Sequence, residues 1–121
     1  MLIRYDGRSR AAYVRLLDSD VIESEEVAPG IVYDFDIEDR VRGIEFYHLD
    51  SLSKVEFSDL ELPLQSQERA ILEQCLFNLS KQSSVFTVRV EKTKTGDFVS
   101  RQFEEVDQTG LPSRFEIPLS K

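Results

Sequence analysis

The carboxylates between Asp34 and Glu45 come closest to the spacing of a metal site. Asp34, Asp36, Glu38 and Glu45 stand at the first, third, fifth and twelfth positions of one segment, as oxygen ligands do in a helix-flanked calcium loop. The sixth position of such a loop is glycine, but here it is Asp39, and the flanking residues alternate as in strands. We therefore interpret the segment as a hairpin turn whose aspartates bond to their own backbone.

Histidine and cysteine occur once each, as His48 and Cys75. One imidazole and one thiol cannot build a tetrahedral metal centre made only of nitrogen and sulfur ligands, nor form an internal disulfide, and we expect Cys75 to be inert core. His48 with Asp50 and Glu45 could serve a small-molecule or weak enzymatic site, which would need a concave pocket around His48. No serine lies in a nucleophile elbow and the glycines occur singly, so the sequence predicts no cofactor and no catalytic set.

The acidic residues are concentrated in the first half of the chain. The net charge is −8, and residues 1–64 contain 7 Lys/Arg and 15 Asp/Glu, whereas residues 65–121 contain 8 of each. A negative surface repels a phosphate backbone and attracts a basic protein, so we expect a basic protein partner and no nucleic acid. The candidate partner-binding residues are Asp18, Asp20, Glu23, Glu25, Glu26, Asp34, Asp36, Glu38, Asp39 and Phe77.

Short alternating apolar segments predict β-strands in the first half. The expected strands are residues 2–5, 12–17, 21–27, 31–35 and 41–47, separated by turns rich in Asp, Gly and Pro. Every connection is short, which favours an antiparallel meander. Gly43 inside the fifth strand indicates a bulge or a place where something packs closely on the backbone.

One amphipathic helix is expected after an irregular segment. Residues 53–65 could include a short strand at 55–57 and end at Pro63, and Ser66 could cap the helix that follows. In residues 67–79 the apolar side chains lie within about 140° of a helical wheel; they are Ile71, Leu72, Cys75, Leu76 and Leu79. Phe77 lies outside this stripe, so the C-terminal segment covers it or it is exposed for a partner.

A second antiparallel meander is expected after the helix. Its strands are residues 85–90, 98–106 and 114–117, with turns at 95–97 and 107–112. The predicted fold class is α+β, with antiparallel β-meanders and one amphipathic helix packed on the sheet. We expect residues 1–121 to form a single domain; the pattern leaves open whether the two meanders form one sheet.

Five short motifs follow one another in the first half. They are Tyr5-Asp6, Tyr13 to Leu16, Glu26 to Gly30, Asp34-Phe35-Asp36 and Gly43-Ile44-Glu45. In this order and spacing, residues 1–52 resemble the small bacterial proteins grouped as domain of unknown function 2283. The resemblance departs at Arg10, where an acidic residue is usual, and at Asp39, where glycine is usual. It implies a compact antiparallel sheet and no established activity, while residues 53–121 resemble no family that we can name.

The composition bounds the location and the function. The chain has 121 residues, of which 40% are hydrophobic. Its apolar runs are short, so we expect neither a membrane-spanning helix nor a signal peptide. We therefore expect a cytoplasmic protein without a membrane partner. The sequence predicts a non-enzymatic protein-interaction module, an adaptor, assembly factor or antitoxin-like inhibitor. The alternatives are a structural homo-oligomer, such as a homodimer, formed through edge strands in residues 85–106, and a small-molecule or weak enzymatic site around His48.

Overall fold

Seven strands form one antiparallel sheet in the computed structural model, which describes residues 1–105. They are β1 (Leu2–Asp6), β2 (Ala11–Arg15), β3 (Glu23–Ala28), β4 (Ile31–Phe35), β5 (Val41–Phe46), β6 (Val85–Lys92) and β7 (Phe98–Glu105). The order across the sheet is β3-β4-β5-β2-β1-β6-β7. The antiparallel α+β class is confirmed. Both halves of the chain contribute to this one sheet because β1 pairs with β6, with Ile3 opposite Val88.

The strand order of the first half differs from the simple meander that we expected. β2 pairs with β5 instead of β3, which places Val14 opposite Ile44 and Ala12 opposite Phe46. These four residues are buried, so the pairing removes apolar surface from water. β3 contains no buried residue, and an edge position leaves its acidic side chains in solvent. The loop after β2 therefore carries the chain past β5 and β4 to the edge of the sheet.

Three helical segments lie between β5 and β6. A 3-10 turn spans Leu49–Ser51, α1 spans Lys54–Ser58 and α2 spans Ser66–Leu79. The prediction of a short strand at residues 55–57 was wrong, because these residues belong to α1. Ser53 and Glu56 form a capping box at the start of α1, in which each side chain accepts a hydrogen bond from the other residue's backbone N–H.

The helix expected at residues 67–79 is confirmed with a start one residue earlier. Its cap is Gln65 rather than Ser66, and Gln65 forms a capping box with Glu68. Leu72, Leu76 and Leu79 are buried in the same hydrophobic cluster as residues of β1, β2, β4, β5 and β6. The apolar stripe of the helix thus contributes directly to the main core.

Part of the second predicted meander falls within the described residues. β6 and β7 pair along their whole length, from Val85 opposite Glu105 to Lys92 opposite Phe98. The turn predicted at residues 107–112, the strand predicted at 114–117 and the predicted strand end at Val106 lie outside the described residues. No helix within residues 1–105 is long and apolar enough to cross a membrane.

Candidate partner interface

Five acidic side chains lie on β3 and on the loop before it. We call Asp18, Asp20, Glu23, Glu25 and Glu26 the edge acids; all five are exposed. β3 is the last strand of the sheet on this side and pairs only with β4. Its other backbone edge therefore faces outward within the described part of the chain, as in strands that accept an added strand from a partner.

The edge acids have few partners of their own. Asp18 lies 3.4 Å from the half-buried Arg15 and forms an ion pair with it. Glu26 Oε2 accepts a 3.1 Å hydrogen bond from the Gly30 backbone N–H, which holds the turn between β3 and β4. No Lys or Arg occurs in residues 18–28, so the negative charge of this edge is not neutralised from within its own segment.

Exposed apolar side chains accompany the edge acids. Val21, Ile22 and Val27 are 43%, 60% and 42% exposed, and Ile22 is attached to the sheet by its backbone N–H bond to Phe35 O. Exposed apolar groups together with unpaired strand backbone are features of surfaces that bind other chains. The alternating pattern of a strand predicted these residues, but it did not indicate their exposure because the edge position depends on the whole sheet.

The carboxylate of Asp36 is buried and fully occupied. Its Oδ1 accepts hydrogen bonds from the backbone N–H groups of Glu38 and Arg40, and its Oδ2 accepts from the Ser19 hydroxyl and the Arg40 guanidinium. The side chain is only 1% exposed. Chiefly because of the Arg40 backbone N–H, and against the effect of burial, the pKa of Asp36 is lowered to about 2. Asp36 therefore stabilises the β4–β5 turn and offers no free carboxylate to a partner.

The carboxylate of Asp34 is also occupied from within the fold. Its Oδ2 accepts a 2.8 Å hydrogen bond from the Tyr13 hydroxyl and its Oδ1 a 2.6 Å bond from the Ser24 hydroxyl. Arg42 donates to the same Tyr13 hydroxyl at 2.8 Å. Mainly because the phenol is partly buried, the pKa of Tyr13 is raised. These bonds connect β2, β3, β4 and β5 on one face of the sheet.

Gly43 makes this network possible. A Cβ at position 43 would collide with the ring and the hydroxyl of Tyr13, so the absence of a side chain lets Tyr13 lie over β5 and reach Asp34. The pairing of β4 with β5 also shifts register between Asp34 and Phe35. The sequence indicated either close packing on the backbone of Gly43 or a β-bulge. Close packing is confirmed at Gly43 itself, and the register shift lies next to it in the β4–β5 pairing.

Glu38 and Asp39 complete the set that we call the turn acids, with Asp34 and Asp36. Glu38 is exposed and lies 3.6 Å from Arg40. Asp39 is exposed and has a φ of 62°, a left-handed conformation that glycine adopts most easily. The family to which the sequence is similar usually has glycine there, so the geometry explains that preference.

Phe77 lies half-buried against α1. Its ring is edge-on to that of Phe57, with centroids 6.3 Å apart, and Lys54 Nζ lies 6.0 Å from its centroid. Neither of the two alternatives for Phe77 anticipated cover by α1, because α1 itself was not predicted. Phe57 in turn stacks on Phe46 of β5 at 6.4 Å, so this aromatic series connects α2 to the sheet.

The thiol of Cys75 is poorly suited to nucleophilic chemistry. Burial raises the pKa of Cys75 to about 12, so the thiol stays protonated at neutral pH. Within residues 1–105, no group of three or more His, Cys, Asp and Glu side chains is arranged to hold a metal ion. Of the residues with calcium-like spacing, Asp34 and Asp36 have carboxylates that are already bonded to hydroxyl, amide and guanidinium donors.

A cleft of about 530 Å³ lies beside His48. We call it the His48 cleft; it separates the β3–β4 turn from the segment that runs from His48 to Leu60. The sequence-based alternative required such a concavity, but Glu45 and Asp50 do not line it. The acidic residues that do so are Glu56 and Asp59, which sequence reasoning missed because it did not place α1.

Comparison with known proteins gives a partial match. Residues 2–49 match a family described as "Protein of unknown function (DUF2283)", in agreement with the resemblance stated above. No curated protein and no solved structure matches the chain. The matched segment contains β1 to β5 and all the edge acids, but its buried face is shared with α2 and β6.

Proposed function

We propose that this protein is a non-enzymatic interaction module that binds a basic protein along the β3 edge. The observation that carries the proposal is an outward strand edge bearing Glu23, Glu25 and Glu26, all exposed. An adaptor, an assembly factor and an antitoxin-like inhibitor all fit this mode. The residues expected to contact the partner are the edge acids together with Val21, Ile22 and Val27.

The two faces of β3 both contribute negative charge. In the register with β4, Glu23 and Glu25 lie opposite Phe35 and Tyr33, whereas Glu26 lies opposite Val32. Because successive residues of a strand point to opposite faces, a lysine-rich or arginine-rich strand added to β3 would meet carboxylates on both faces. Backbone hydrogen bonds would provide affinity, and complementary charge would select basic partners.

The contrast with Asp34 and Asp36 favours a surface along β3. Asp34 and Asp36 are committed to hydroxyl, amide and guanidinium donors, so a partner would gain little from them. We also infer that α2 lies against one face of the sheet, because its buried leucines share a cluster with Ile3, Val14 and Ile44. The backbone edge of β3 is then the polar surface best suited to strand addition.

The direct test uses a short capped peptide of alternating lysine and valine as the probe. We expect it to shift backbone amide signals of β3 in heteronuclear NMR spectra. We also expect the affinity to fall by about tenfold or more between low and high salt, since the Debye length decreases from about 30 Å at 0.01 M to about 3 Å at 1 M. Salt-independent binding would contradict the proposal.

Three control experiments separate strand pairing from general charge attraction. The triple variant Glu23→Gln, Glu25→Gln, Glu26→Gln should weaken binding strongly. The matched variant Glu73→Gln, Glu91→Gln, Glu104→Gln removes the same charge elsewhere and should bind nearly as the wild type does. A peptide N-methylated at alternate residues cannot pair along an edge and should lose most of its affinity. Equal losses in both triple variants would contradict a site on β3.

A homodimer through strand edges remains the main alternative. β7 is the other edge of the sheet among the described residues, and Val99 on it is 43% exposed. Light scattering over a range of protein concentrations separates the two functions, because a dimer through β7 would leave β3 unoccupied and would not depend on Glu23 or Glu25. The β3 proposal expects the charge variants to leave the molar mass unchanged.

A further inference from the structure

The turn between β3 and β4 lines the His48 cleft. Gly30 has a φ of 77°, and a Cβ there would lie 3.2 Å from the Tyr47 carbonyl oxygen. The turn is tied to the strand end by the Tyr47 N–H bond to Gly30 O at 2.8 Å. The volume of about 530 Å³ lies within the range of ligand sites, roughly 300 to 1,000 Å³.

The interior of the cleft is largely apolar. Buried Ile31 and Phe46 line it, together with half-buried Leu52 and Leu60. Val27, near the end of β3, lines it as well. Such a lining suits a chain of methylene groups, which loses contact with water on entering it.

The charged groups that line the cleft are acidic. Glu56 and Asp59 are exposed and line it, and no Lys or Arg among residues 1–105 does so. Glu56 Oε1 accepts the Ser53 backbone N–H, which leaves the second oxygen of this carboxylate for another donor. Within residues 1–105, neither Glu56 nor Asp59 takes part in an ion pair.

Two cations on or beside α1, Lys54 and Arg69, have contacts within the fold. Lys54 Nζ lies over the ring of Phe77. Arg69 donates to the carbonyl oxygens of Phe57 and Ser58 and lies 5.1 Å from the Phe57 ring centroid. The negative charge of Glu56 and Asp59 is therefore available to a cation that comes from outside the molecule.

We infer that the His48 cleft receives the side chain of a lysine or arginine from the basic partner. The methylene stem lies along Leu52 and Leu60, and the charged head meets Glu56 and Asp59, as long basic side chains divide between apolar and polar surroundings. This inference rests on the proposed function and deepens it. Val27 belongs both to β3 and to the cleft, so a strand added to β3 ends at the cleft.

The test is an NMR titration of the isotope-labelled full chain with small probes. Nα-acetyl-lysine methylamide and Nα-acetyl-arginine methylamide should shift the amide signals of Gly30, Leu52 and Asp59. The norleucine analogue, which keeps the apolar stem without the charge, should bind much more weakly. The variant Glu56→Gln, Asp59→Asn should weaken the cationic probes by about 3- to 10-fold, the size expected for exposed ion pairs.

A matched control keeps the fold and the net charge comparable. Glutamine at position 56 retains the oxygen that caps α1, and Glu91→Gln, Glu104→Gln removes two carboxylates that do not line the cleft. This control variant should bind the probes as the wild type does. Equal binding of the norleucine analogue, or an equal loss in both double variants, would overturn the inference.

The two proposals can fail separately. If the lysine-valine peptide shifts β3 but the small cations leave the cleft signals unchanged, the cleft inference is overturned and the β3 proposal stands. If the small cations bind in the cleft and the peptide does not bind β3, partner docking is overturned and the ligand is a free organic cation. Peptide binding that weakens in the Glu56→Gln, Asp59→Asn variant supports both.

Discussion

The edge acids and two of the turn acids, Asp34 and Asp36, carry the same kind of charged group but differ in surroundings. Glu23 and Glu25 face solvent on the outermost strand, whereas Asp34 and Asp36 accept hydrogen bonds from residues on several strands and loops. The difference shows that charge composition gives the number of carboxylates in a segment but does not indicate which are available. Availability depends on the donors that the fold brings to each carboxylate.

The largest expected difference concerns stability. Replacing Asp36 with alanine leaves the backbone N–H groups of Glu38 and Arg40 and the hydroxyl of Ser19 without their acceptor. We expect the melting temperature to fall by roughly 5 to 15 °C. Thermal denaturation followed by circular dichroism measures it. Changing Glu23 and Glu25 together to glutamine should alter the unfolding free energy by less than about 0.5 kcal/mol.

One outcome of this stability measurement would contradict the distinction between Asp36 and the edge acids. If Asp36→Ala were as stable as the Glu23→Gln, Glu25→Gln variant, Asp36 would be as free as the edge acids. Its assignment as a structural residue would then fail.

The second prediction concerns the space over Gly43 that the Tyr13 ring occupies when its hydroxyl donates to Asp34. Gly43→Ala should displace Tyr13 and break its bond to Asp34, at a cost of about 1 to 3 kcal/mol in the free energy of unfolding. Urea denaturation measures the loss. Because the collision is with Tyr13, adding Tyr13→Ala should make the Gly43→Ala change much less costly. Strict additivity of the two changes would show that another contact restricts position 43.

The third prediction uses the pKa of Asp36. The folded-state pKa of about 2 lies below the ordinary value of 3.8, so the stabilisation from this carboxylate is fully present above about pH 4 and is lost as the pH falls towards 2. We expect the difference in unfolding free energy between the wild type and Asp36→Asn to narrow over that interval. Urea denaturation at several pH values measures it, and a difference that stayed constant would contradict the assignment.

The smallest expected effect is a gain in stability at Asp39. Glycine tolerates the φ of 62° better than aspartate does, so Asp39→Gly should stabilise the protein by up to about 1 kcal/mol. Arg10 is the matched control because its φ is 57° and its side chain donates to the carbonyl oxygens of Ser80 and Gln82. Arg10→Gly should therefore destabilise the protein. Peptide binding at β3 should be unchanged in Asp39→Gly.

Sequence reasoning succeeded where the evidence was local. The stripe from Ile71 to Leu79 predicted α2 because helical periodicity repeats over several turns. The β3–β4 turn was expected because Pro29 fixes one backbone angle and Gly30 tolerates a positive φ. Sequence reasoning failed at α1, because the apolar residues Val55 and Phe57 are separated by one residue, which is the spacing of a half-buried strand. The Ser53 and Glu56 capping signal was present in the sequence and outweighed that alternation.

The strand order and the candidate site could not be read from periodicity. β2 and β3 are consecutive in sequence, but β2 pairs with β5 because Ala12 and Val14 then bury against Phe46 and Ile44. The apolar residues alternate in the same way in each of these strands, so the sequence pattern does not show whether β2 pairs with β3 or with β5. The His48 cleft likewise joins Val27 to Leu60, two residues whose proximity depends on the complete fold.

The amino-acid sequence alone determined the antiparallel class, the positions of most strands and turns, the main helix and the acidic character of the first half. These follow from short-range steric preferences, apolar periodicity and charge. The tertiary structure decided which strand forms the edge, which carboxylates keep a free oxygen and where an acidic cleft opens. Those properties depend on partners far apart in the chain, such as Ser19 with Asp36 and Tyr13 with Asp34, and local patterns do not specify such pairs.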